Sequence, residues 1–122
     1  MQDSKIFKKD LFERLLNFAV GVIQLIEGMK KTFTVLHIGK QLIRASTSSG
    51  ANYEEACGAE SKADFLHKLQ LVLKELRESA YWLRLLLKAK LGDAVKIQTL
   101  LNECIELSNI IGKSISTLKQ HK

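Results

Sequence analysis

The sequence predicts an all-α protein, a single domain over residues 1–122 folded as an antiparallel up-down-up-down four-helix bundle. Three observations carry this. Apolar residues recur in alternating steps of four and three along four long segments, which is the spacing of one helix face. The chain contains no proline, so no ring interrupts a helix by removing a backbone N–H. Turn-forming residues gather near residues 30–34, 57–62 and 91–93, and short turns between helices of similar length make sequential neighbours antiparallel.

The first helix is predicted over residues 10–29, with Leu11, Leu15, Phe18, Val22, Leu25 and Met29 as its buried seam. Asp10 and Glu13 have the spacing of a capping box at its start, and Gly28 with Lys30 and Lys31 suits its end. The second is predicted over 34–57, capped by Thr32 or Thr34, on a seam of Ile38, Leu42, Ala45, Ser49, Asn52 and Ala56 that turns small and polar along its length. The third, over 62–91, opens on a capping box of Ser61 and Asp64 and holds Leu66, Leu69, Leu73, Leu76, Ala80, Leu83 and Leu87 in register. Gly92 suits the stop after it, and Asp93 suits the cap of the fourth helix, over 94–119. That helix carries Ile97, Leu101, Cys104, Ser108, Ile111, Ile115 and Leu118.

Composition narrows the function classes. A chain of 122 residues buries a core without disulfides or metals, and 46% hydrophobic with 26% charged residues excludes a disordered chain. The net charge of +6 is uneven: residues 61–92 hold seven basic against three acidic groups. Such an excess suits a polyanion partner and is also common in ordinary proteins. The N-terminus has acids and no apolar core of a signal peptide, and no apolar run approaches the ~20 residues of a membrane span. A cytoplasmic protein with no membrane association is expected. Cys57 and Cys104 lie in separate helices without metal-type spacing and read as reduced, mostly buried thiols.

No enzyme is expected. His37, His67 and His121 fall on different segments, and no Glu is followed by His three residues on, as a di-metal bundle requires. Glu54, Glu55, Glu75 and Glu78 read as ion-pair partners, so no metal or cofactor is expected. Phosphate-binding glycine loops are missing too.

Three other features bear on binding. Leu71, Trp82 and Leu85 stand off the seam of the third helix, which suits an oligomer interface or else a wide core stripe; their outward placement favours the interface. His67, Lys74, Tyr81 and Lys88 repeat every seven residues, and Arg77 with Arg84 forms a second stripe beside them. Basic groups with an interleaved aromatic suit phosphate contact and base stacking, although on spacing alone a solvated face explains them as simply. Ser, Gly and Asn between Arg44 and Glu55 are poor mid-helix residues, so their use implies close helix approach or a buried polar network, with a binding role for Arg44 and Asn52 as the alternative.

The run GKQLIRASTSSGANYEEA (39–56) and the run ESKADFLHKLQLVLKELRESAYWLRLLL (60–87) carry a resemblance. Gln41, Arg44, Ser48, Gly50, Asn52, Glu55, Ala56, Asp64, Phe65, Lys68, Lys74, Glu75, Glu78 and Trp82 resemble the motifs of a bacterial family named for proteins encoded in intervening sequences of 23S ribosomal RNA genes, and DLFERLLNFAVGVI resembles its first helix. The resemblance implies a four-helix bundle. It extends to the accessory variability determinant of diversity-generating retroelements, which implies a homopentamer, RNA or DNA binding, and a protein partner such as a reverse transcriptase. Under that resemblance Arg44, Asn52, Glu55, Lys74, Glu75 and Glu78 suit a polar network between the second and third helices or across subunits, with Arg44 paired to Glu75 or Glu78. The leading expectation is an oligomeric, non-enzymatic bundle whose third-helix stripes join Lys8, Lys9 and Arg14 on one nucleic-acid-binding surface. The competing expectation is a protein-interaction scaffold that binds no nucleic acid.

Overall fold

The computed structural model describes residues 2–120, with side chains described from residue 9 onward. Four helices account for nearly all of it: α1 (Gln2–Glu27), α2 (Phe33–Cys57), α3 (Lys62–Ala89) and α4 (Ala94–Gln120). Each helix of 25–28 residues is about 40 Å long at 1.5 Å per residue, so short connections return the chain alongside itself. Arg44 of α2 meets Glu75 and Glu78 of α3, while Glu55, further along α2, meets the earlier Lys68. The pairing runs backward, so α2 and α3 are antiparallel. Gly39 beside Ile26 and Gly50 beside Leu15 show the same for α1 and α2. Each helix packs on its two neighbours in a ring, which leaves α1 diagonal to α3 and α2 diagonal to α4.

The ends follow local chemistry. Thr32 caps α2, its hydroxyl accepting the Val35 N–H at 3.2 Å, and Ser61 caps α3, accepting the Asp64 N–H at 3.0 Å. Asp93 caps α4 through Val95 and Lys96. The Lys31 ammonium donates to the carbonyls of Ile26, Glu27 and Met29, closing the end of α1 where no basic residue stands in the last turn. Two expectations shift. The α1 helix runs straight through Asp10 and Glu13, which therefore cap nothing, and it stops at Glu27. The α3 helix stops at Ala89 because Lys90 takes the left-handed conformation at φ 58°, ahead of Gly92 at φ 81°.

The core follows the apolar seams, with Leu15, Leu42, Leu76, Leu83, Leu107 and Ile111 fully enclosed. Each such side chain stabilises the bundle by about 1.5–3 kcal/mol relative to exposure. On α3 the stripe is rotated from the expected one: Val72, Ser79 and Leu86 are buried, while Leu73, Ala80 and Leu87 are only half-buried. The small polar stretch of α2 serves close packing. Ser46 and Ser49 are buried and each bonds a carbonyl one turn back on its own helix, to Ile43 at 3.2 Å and to Ser46 at 2.7 Å. The Asn52 amide likewise donates to Ser48 at 2.9 Å, so it stays within α2 and does not bridge helices. Of the two cysteines Cys104 is buried, but Cys57 is exposed at the end of α2, contrary to the expected burial of both.

Candidate functional site

The α3 helix turns one face to solvent. At about 100° per residue, His67, Lys74, Arg77, Tyr81, Arg84 and Lys88 fall within an arc of roughly 100°, opposite the buried Leu69, Leu76 and Leu83. All six are exposed. Among the described residues, Arg77, Arg84 and Lys88 have no carboxylate within 4.0 Å. Their charge is therefore presented to solvent over about three turns of helix.

One edge of this arc abuts a mixed cluster at the α2–α3 seam. Arg44 donates to Glu75 at 3.1 Å and to Glu78. The same Glu78 oxygen that accepts Arg44 also accepts the Trp82 indole N–H at 3.1 Å. These two donors, with Trp82 first, hold the Glu78 carboxyl below its ordinary range, and Glu78 in turn raises the Arg44 guanidinium further above neutrality. Trp82 stands edge-on to His37 of α2, with ring centroids 6.2 Å apart, and edge-on to Tyr81 at 5.0 Å. Tyr81 remains 58% exposed in the middle of the basic arc. Further along the seam Glu55 pairs with Lys68 at 3.4 Å. Arg44, Glu55, Glu75 and Glu78 thus lie in interhelical pairs between α2 and α3, and Asn52 does not.

Arg14 sits elsewhere. Its guanidinium is half-buried between α1 and α4, bound to Glu103 at 2.7 Å and Glu106 at 3.0 Å. Those acids neutralise it, and α1 lies diagonal to α3, so Arg14 does not join the α3 arc within one protomer. Lys9 is exposed on α1, on the same diagonal, and the side chain of Lys8 lies outside the described residues.

The apolar surface also differs from expectation. Leu71, Trp82 and Leu85 are half-buried; Trp82, edge-on to His37 of α2, and Leu85 lean on the core. Large exposed apolar groups lie on α1, at Leu16 (45% exposed), Val20 and Ile23, at the start of α2, at Phe33 and Leu36, and on α4, at Val95 and Ile105. Leu16, Val20 and Ile23 line a shallow apolar groove with Thr47 and Ala51 of α2. Their steps of four and three mark them as a stripe beside the core seam, a signal present in the sequence. The Glu78–Trp82 bond had one as well, since residues four apart share a helix face.

No group of three or more His, Cys, Asp or Glu residues that could hold a metal occurs among the described residues. Nor, among them, is any helix long and apolar enough to cross a membrane.

A family model described as 23S rRNA-intervening sequence protein matches residues 8–113. A crystal structure of a protein of unknown function from the S23 ribosomal protein family of Bacteroides thetaiotaomicron is similar over most of the chain. It is 32% identical, covers 86% of this chain and 97% of its own, and superimposes with a TM-score of 0.77. A search of curated proteins found no match.

Proposed function

The chain belongs to the 23S rRNA-intervening sequence protein family, and from that premise we propose that it is a non-enzymatic, self-associating bundle that binds nucleic acid through α3. One observation carries the reading: Lys74, Arg77, Arg84 and Lys88 share a solvent face with Tyr81, and three of these cations lack an acidic neighbour. Unpaired cations at fixed intervals on a rigid helix displace counterions from a phosphate backbone, and that release drives association. Self-association is supported by the apolar stripe of Leu16, Val20 and Ile23 on α1, which faces away from the α3 arc and leaves it open. A pentamer and a reverse-transcriptase partner rest on the resemblance to the retroelement accessory protein.

Binding of labelled RNA and DNA as a function of salt tests the proposal. Affinity is expected to fall steeply as salt rises, and replacing Lys74, Arg77, Arg84 and Lys88 together by alanine should flatten that slope by about 0.7–0.9 for each phosphate left unneutralised. Absence of any retention at low salt overturns it. A second reading, a protein scaffold docking through the α1–α2 groove, is supported by the apolar lining of that groove. Failure of the wild type to retain nucleic acid at low salt would favour it.

A further inference from the structure

We propose that Tyr81 is a stacking platform for an unpaired base, and that Arg44, Glu78 and Trp82 position it; this rests on the α3 reading above. Besides the His67 imidazole at its end, the α3 face carries the exposed ring of Tyr81, placed between Lys74 and Arg77 on one side and Arg84 and Lys88 on the other. Cations on both sides track a backbone while the ring takes a base, the arrangement of a single-strand site. A continuous duplex keeps its bases stacked inside and offers such a ring nothing to stack on. The site therefore selects strands with unpaired bases, such as single strands, bulges and loops.

The ring is not left to rotate freely. Trp82 meets it edge-on at 5.0 Å. Trp82 is itself fixed from two directions, by His37 of α2 and by the Glu78 oxygen that accepts its N–H at 3.1 Å. Arg44, reaching across from α2, donates to that same oxygen and so fixes Glu78. A continuous chain of side chains thus runs from α2 to the exposed ring. It gives a purpose to a carboxylate placed beside a cationic face, where its charge would otherwise only weaken the attraction of that face for a polyanion. Pre-ordering an aromatic lowers the entropy lost when a base is captured.

Anisotropy titrations with three probes test this: a labelled single-stranded polyadenylate, a blunt duplex of equal length, and heparin as a polyanion without bases. The wild type is expected to prefer the single strand. Tyr81→Ala should weaken single-strand binding about five-fold or more and leave heparin binding unchanged, whereas Tyr81→Phe should keep it. Glu78 separates positioning from charge. Glu78→Ala and Glu78→Gln carry the same net charge, but only glutamine retains an acceptor for Trp82. Weaker single-strand binding by Glu78→Ala than by Glu78→Gln is the expected result. Equal binding by these two variants, a wild-type preference for the duplex, or an unaffected Tyr81→Ala overturns the inference while leaving the α3 face in place. Failure of the wild type to bind any of the three probes overturns the α3 reading itself.

Discussion

Arg14 of α1 faces Glu103 of α4 as a two-point pair, with Nε and Nη2 donating to separate carboxylate oxygens at 3.1 and 2.7 Å. The pair joins the first and last helices of the ring. Both side chains are about one-third exposed, so solvent screens the pair, yet its forked geometry is the favourable one. Arg14→Met is expected to lower stability by about 1 kcal/mol in urea melts. A double-mutant cycle with Glu103→Gln should recover most of that loss as coupling. Nucleic-acid affinity should be almost unchanged in Arg14→Met and reduced in Arg77→Ala; equal loss in both would place α1 on the binding surface.

Two glycines should respond to alanine with opposite signs. A β-carbon on buried Gly39 would stand 2.8 Å from Ile26 Cγ2, and nothing lies within 4 Å of one on Gly112. The Ile26 methyl is attached at a branched β-carbon, so it moves only by changing rotamer. Helix propensity favours alanine by about 1 kcal/mol at either position. At Gly39 the overlap, about 1–3 kcal/mol, outweighs that gain and pushes α1 from α2. Gly39→Ala should therefore melt below wild type and Gly112→Ala above it. A stabilised Gly39→Ala would show that the α1–α2 spacing is not fixed there.

The sequence made the seams legible because burial of one helix face imposes its period on residue type. It could not set how far α3 rotates about its axis. Leu73, Ala80 and Leu87 are as apolar as Val72 and Leu86, and spacing cannot say which set turns inward. That rotation turns Trp82 toward His37 of α2 and leaves Leu71 and Leu85 half-buried. The pairing of Arg14 is illegible for a different reason: its partner Glu103 is 89 residues away along the chain, beyond any local pattern. Arg44 was legible only through the motif that sets it alongside Glu75 and Glu78. The start of α1 was obscured because a capping-box spacing also occurs inside a helix, where Asp10 and Glu13 simply face solvent.

Acid should loosen the Glu78 cluster. The carboxyl is held below its ordinary value of 4.5, first by the Trp82 N–H and then by Arg44. A group whose folded value is depressed contributes stability above its unfolded value, and that contribution is lost as pH falls through the folded one. The stability difference between wild type and Glu78→Leu should therefore be full near neutrality and shrink as pH drops below 4.5. Emission of the single tryptophan, Trp82, should shift over the same interval. A difference constant down to about pH 3 would mean that the carboxylate charge contributes nothing to the fold.

The two thiols should differ sharply in reactivity. Thiolate is the reacting form, so a group that resists ionisation and is closed to solvent reacts slowly. Cys104 is fully buried, its Sγ donating to the Leu76 carbonyl at 3.1 Å, and burial pushes its pKa up to about 12. Cys57 is exposed at the end of α2, beside the buried phenol of Tyr53. Native protein at about pH 8 should release one equivalent of thionitrobenzoate quickly and a second only when unfolded. Cys57→Ser should abolish the fast phase. Cys104→Ser keeps the size of the side chain while setting a more polar hydroxyl in an apolar interior, and should destabilise the bundle by about 1–3 kcal/mol. Fast labelling of both thiols in the folded state would mean that α3 and α4 part far more readily than their packing implies.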